Sequence, residues 1–234
     1  MNREETLVKN WQDVQAALAA ACAKSGRDLK EITLLAVTKY AQDQDVLTLL
    51  QKGLIKHVGE SRVQQAQARW TSPVFASFHT VKHFIGHLQK NKAAKAAQLF
   101  DFVDSLDNLQ TAQALSKAVP AGKTIRVLVQ VKLTDRETQS GLPLEQARQL
   151  ARELKALPGL KVAGYMAIAP QGAPQQELRT LFGAVKRAFD ADFPAGEERY
   201  LSLGMSEDFE IAVEEGSSLP RIGSKLFAAN LEGL

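Results

Sequence analysis

A chain of 234 residues, 45% of them hydrophobic, can bury one sizeable core; this excludes wholesale disorder and leaves little room for two full domains. Its 29 Lys and Arg against 26 Asp and Glu leave a net charge of +3, interspersed rather than gathered on one face, which argues against nucleic-acid binding. Met1 to Asn10 lacks the apolar core of a signal peptide, and no window reaches the ~18 uninterrupted apolar residues of a membrane span, so a cytoplasmic protein is expected.

Leu7, Trp11, Val14, Leu18 and Cys22 recur at three- and four-residue steps, which predicts a helix with one apolar face over residues 1–25, ended by Gly26. The lone Cys22 on that face reads as a small buried hydrophobe. Residues 32–37 form a nearly continuous apolar run, the pattern of a strand covered on both faces. Further strands are expected at 57–59, 83–85, 102–103, 125–131, 162–168, 200–202 and 221–222. Helical stretches lie between them. One carries Ala147, Leu150, Ala151 and Leu154 behind Pro143, and another has Leu178, Leu181, Phe182, Val185 and Phe189 on one stripe. Eight β/α units predict an α/β fold: one (β/α)8 TIM-type barrel over 1–234, with an extra N-terminal helix packed on it. A doubly wound open sheet is the alternative.

Barrel sites lie at the C-terminal ends of the strands, with phosphate often bound after strands 7 and 8. Lys39 directly follows the first strand. It is either a solvated lysine or a Schiff-base lysine in a partly desolvated site. Strand 7 ends in Leu203-Gly204-Met205-Ser206 and strand 8 in Ile222-Gly223-Ser224. Glycines admit an anion to backbone N–H groups and hydroxyls add donors, although ordinary strand-to-helix turns use the same residues. Arg221 on the last strand needs a partner, either a structural carboxylate or a ligand heteroatom. Glu60 and His83 end strands 2 and 3 and could line the same opening. His83 and His87 fall on either side of a turn, so no metal is expected, and no P-loop, GxGxxG, HExxH or paired CxxC is present.

Six segments in order carry a resemblance that runs through nearly the whole chain. They are Leu35-Ala36-Val37-Thr38-Lys39, Gly59-Glu60-Ser61-Arg62-Val63-Gln64, the run from His83 to Lys92, Ser140-Gly141-Leu142, the run from Leu203 to Phe209, and Arg221-Ile222-Gly223-Ser224. Together they resemble the pyridoxal phosphate homeostasis protein family. The resemblance implies a fold like the barrel of alanine racemase and pyridoxal 5′-phosphate (PLP) held on Lys39. It further implies phosphate held by Ser206, Gly223 and Ser224, with Arg221 facing the pyridine nitrogen. Ser61, His83 and Met205 complete the expected cofactor-binding set. Three positions depart from the family's pattern: Ser61 replaces a usual Asn, Gln139 a usual Lys, and Ala228 a usual Gly. The first two could tune cofactor affinity.

The implied role is a monomeric, non-catalytic PLP carrier or reservoir in vitamin B6 homeostasis, with PLP-dependent apo-enzymes as possible recipients. A PLP-dependent amino-acid racemase is the alternative. The eleven residues after Gly223 leave no room for the added β-domain of racemases, and neither Tyr40 nor Tyr165 is marked as a second base. A phosphosugar enzyme using Lys39 would explain the phosphate loops but not the six segments.

Overall fold

The computed structural model describes residues 2–134 and 140–229; Gln139 lies outside them. The strands are β1 (Leu35–Val37), β2 (His57–Glu60), β3 (Val81–Phe84), β4 (Phe102–Leu106), β5 (Ile125–Val131), β6 (Leu160–Ala167), β7 (Tyr200–Ser202) and β8 (Arg221–Ile222). The helices are α1 (Arg3–Ser25), α2 (Asp43–Gln51), α3 (Val63–Trp70), α4 (Pro73–Ala76), α5 (Ala93–Leu99), α6 (Leu109–Ala118), α7 (Leu144–Leu154), α8 (Gln175–Asp192), α9 (Phe209–Glu214) and α10 (Ser224–Phe227).

All strand pairs are parallel, and they run in the order β7-β6-β5-β4-β3-β2-β1-β8. This is the sequential order of a barrel with its last strand beside its first; a doubly wound sheet would reverse direction part-way. The circle is nearly closed. Among the described residues no ladder joins β7 to β8, and the seam is stitched otherwise. Ser218 N–H donates to Leu201 O (2.9 Å) and Arg221 N–H to Gly204 O (3.0 Å). The Ser217 hydroxyl donates to Leu203 O at 2.7 Å, and that of Ser218 accepts from Leu201 N–H at 2.9 Å.

Alternation along the strands sorts side chains into two layers. Ala36, Val58, Val103, Val127 and Ile222 join the large cluster under the helices, whereas Leu35, Leu128, Ala163 and Met166 form a small separate cluster inside the barrel. Helix α1 opens on a capping box of Asn2 and Glu5 and ends at Gly26 in the left-handed conformation, as predicted. It packs on α2, α9 and α10. The first strand, Leu35–Val37, starts three residues later than its apolar run suggests, and a 3-10 turn at Leu29–Glu31 precedes that run.

Candidate functional site

The C-terminal strand ends open into a cavity of about 1090 Å3, lined by Lys39, Met205, Ser206, Asp208, Arg221, Gly223 and Ser224 among others. Lys39 and Tyr40 are the middle residues of a turn closed by Ala41 N–H on Thr38 O at 2.9 Å. The turn is held from behind. Arg69 donates to Thr38 O and to Ala41 O, each at 2.8 Å, and the Thr38 hydroxyl donates to Glu60 Oε1 at 2.7 Å.

Arg221 is 4% exposed. Its guanidinium donates to Ser202 O, to the Ser202 hydroxyl and to Ala167 O, each at 2.8 Å. Those three bonds use only part of its donor fork. Among the described residues no carboxylate stands within ion-pair distance of it. Burial pulls its pKa down to about 10, against the more distant charges of Asp104 and Asp208. Of the two partners foreseen from the sequence the structural carboxylate is not the one in contact: backbone carbonyls and a serine hold the group, and Arg221 lines the cavity.

The loops after β7 and β8 meet at one corner. Gly204 has φ 85°, and a Cβ there would stand 2.6 Å from that of Ala212, so only glycine lets the loop turn this tightly onto α9. Ser206 Oγ lies 3.4 Å from both Gly223 N and Lys225 N. Bonds of that length are at the edge of useful geometry, so both N–H donors can turn to a stronger acceptor. Gly223 abuts the first strand: a Cβ on it would come within 3.1 Å of Val37 O. Asp208 accepts from Met205 N–H at 2.5 Å, and burial pushes its carboxyl above the usual carboxylate range.

Ser61, His83 and Glu60 are not among the residues that line this cavity. Ser61 packs by its backbone against Gly86. His83 is fully buried inside the barrel, stacked on Phe102 at 4.1 Å, with Nδ1 2.9 Å from Asp104 Oδ2 and Nε2 3.0 Å from His57 Nδ1. A buried imidazole must satisfy both nitrogens, and these partners lie below the mouth. Glu60 points outward to Thr38, Arg69 and Trp70. Sequence reading missed Arg69, Asp208 and Ser202; only Asp208, two residues after Ser206, stands near a motif already singled out. Among the described residues no group of His, Cys, Asp and Glu could hold a metal ion, and no helix is long and apolar enough to cross a membrane.

The family model for the alanine racemase N-terminal domain matches residues 7–230. Pyridoxal phosphate homeostasis proteins of Escherichia coli (strain K12) and Pseudomonas aeruginosa are each 34% identical, covering 95% and 96% of this chain and 96% of their own lengths. The chain belongs to the pyridoxal phosphate homeostasis protein family. Within it, PipY of Synechococcus elongatus has been solved with PLP bound and superposes with a TM-score of 0.78 at 28% identity, covering 92% of this chain and 99% of PipY. A Clostridium difficile alanine racemase shares the barrel alone, at 12% identity and a TM-score of 0.72, with 58% of its length covered.

Proposed function

We propose that the mouth cavity binds PLP, that Lys39 holds it as a Schiff base, and that the protein is a carrier or reservoir of the cofactor rather than an enzyme. One observation carries this reading. A lysine, an arginine free of carboxylate contact and a serine-lined corner with under-used backbone donors all converge on a single cavity. The donor set suits a ligand with a carbonyl, a ring-nitrogen acceptor and a dianion, and the PLP found in PipY supports the match.

When bound, the cofactor supplies an aldehyde to an amine and an electron-withdrawing ring. The chain's residues divide the holding. The Arg69–Glu60 pair fixes the turn from which the Lys39 amine reaches the cavity. Ser206, Gly223 and Ser224 would hold the phosphate, and Met205 would pack beside it. Arg221 would donate to the ring nitrogen. A guanidinium without a touching carboxylate opposes protonation of that nitrogen, which weakens the ring as an electron sink and suits storage over turnover. In this reading the protein acts as a monomer and PLP-dependent apo-enzymes are its recipients.

Absorbance of the PLP-reconstituted protein with and without borohydride, followed by mass mapping, tests the assignment. A near-visible band and a trapped adduct on Lys39 are expected. No band, or an adduct on another lysine, refutes it. Sustained PLP-dependent inversion of L-alanine by pure protein would refute the non-catalytic role.

A further inference from the structure

The N-terminal helix lies outside the barrel, yet its first residue bonds to the helices that follow both halves of the candidate site, α2 and α10. Arg3 grips Asp45 with two donors, Nε on Oδ1 at 3.0 Å and Nη2 on Oδ2 at 2.5 Å. Asp45 is buried in the first turn of α2, the helix that follows the Lys39 turn. The same guanidinium donates to Ala228 O at 2.7 Å and to Phe227 O at 2.9 Å, at the end of α10. Asn10, two turns along α1, adds its side-chain amide to Leu226 O and Ala228 O, each at 3.1 Å. None of these acceptors belongs to a strand.

Helix α10 has four residues. A single turn cannot hold itself, and its last carbonyls have no partners within the helix. Here α1 supplies those partners, with a cation at the carbonyl end where it is favoured. The opposite end of α10 begins at Ser224, where the Gly223 and Lys225 N–H groups face Ser206. Whatever fixes the carbonyl end therefore fixes the donors at the other.

We propose that Arg3, seconded by Asn10, is a positioning residue for phosphate recognition: α1 straps α10 to α2 and so sets the phosphate corner against the Lys39 turn. This rests on the PLP reading above. Its signature is selective. A loosened corner weakens the grip on the phosphate but leaves pyridoxal, which lacks that group, bound as before.

The test is the dissociation constant of PLP and of pyridoxal for the parent, Arg3→Ala, Arg3→Lys and Asn10→Ala, read from the near-visible absorbance. In Arg3→Ala the preference for PLP over pyridoxal should fall roughly ten-fold, the scale at which remote network substitutions act. Arg3→Lys should recover part of it, since an ammonium reaches one carbonyl but not the fork. Asn10→Ala, which leaves Asp45 paired, guards against failure of the first variant to fold and should lower the preference by a smaller factor. An unchanged preference in both alanine variants overturns the strap, as does equal weakening of both ligands. A parent that does not itself prefer PLP to pyridoxal instead refutes the phosphate corner, and the strap with it.

Discussion

The Glu60 carboxylate and the Arg69 guanidinium stand 2.8 Å apart behind the Lys39 turn, the acid 3% and the base 14% exposed. Between them they accept from the Thr38 hydroxyl and donate to two turn carbonyls, so the loop that presents the amine is fixed from its outer side. Arg69→Met should leave a buried carboxylate unpaired and cost about 3 kcal/mol of stability. Urea unfolding measures it, and the trapped lysine adduct should fall in parallel. Glu60→Gln, which keeps an acceptor for Thr38, should cost less. Equal stability of Arg69→Met and parent would show that the pair does not hold the turn.

Lys39→Ala should abolish the borohydride-trapped adduct with little change in melting temperature, because the side chain is only half buried at a turn. Mass mapping of the variant decides it: an adduct of undiminished yield would place the covalent lysine elsewhere.

Replacing both Ser206 and Ser224 by alanine should weaken PLP retention, each hydrogen bond to the charged phosphate contributing roughly 1.5–3 kcal/mol. Ultrafiltration of the loaded protein reports the loss. Retention equal to the parent's would remove the phosphate from this corner.

Stability should depend on pH through His57. Burial, then repulsion from His83, Lys56 and Arg126, pushes its pKa down to about 4. Its unfolded value is ordinary, near 6.5. Between these two values the unfolded chain binds the extra proton, so stability is complete above about pH 6.5 and declines as the pH falls toward 4. After allowance for partial exposure, the loss is about 2 kcal/mol. Denaturant midpoints across that window should show a shallower slope in His57→Asn, and an identical slope would mean that His57 titrates normally in the fold.

The barrel, and the meeting of Lys39, Ser206 and Gly223 at one cavity, were readable from the chain because both depend on strand ends. Lys39, Ser206 and Gly223 each follow an apolar run, and a run's end survives an error of one residue in its start. Facing does not survive it. The third strand was expected at 83–85 and spans Val81–Phe84; alternation along it turns His83 into the buried interior, just as alternation after Gly59 turns Glu60 outward. Arg69 and Arg3 were invisible for another reason. Their acceptors lie up to 31 and 225 residues away, and both read as ordinary solvated cations on helices.

The hydroxyl-stitched junction of β7 and β8 gives the circle a zip. Side-chain hydroxyls yield to water more readily than a continuous ladder, so the wall should breathe there first, and amide exchange at Leu201 and Leu203 would report it. A ligand anchored to the Lys39 turn on one side and to the Ser206 loop on the other would span that zip. Loading the protein would then fasten it, and an emptied molecule would be the one more easily prised apart.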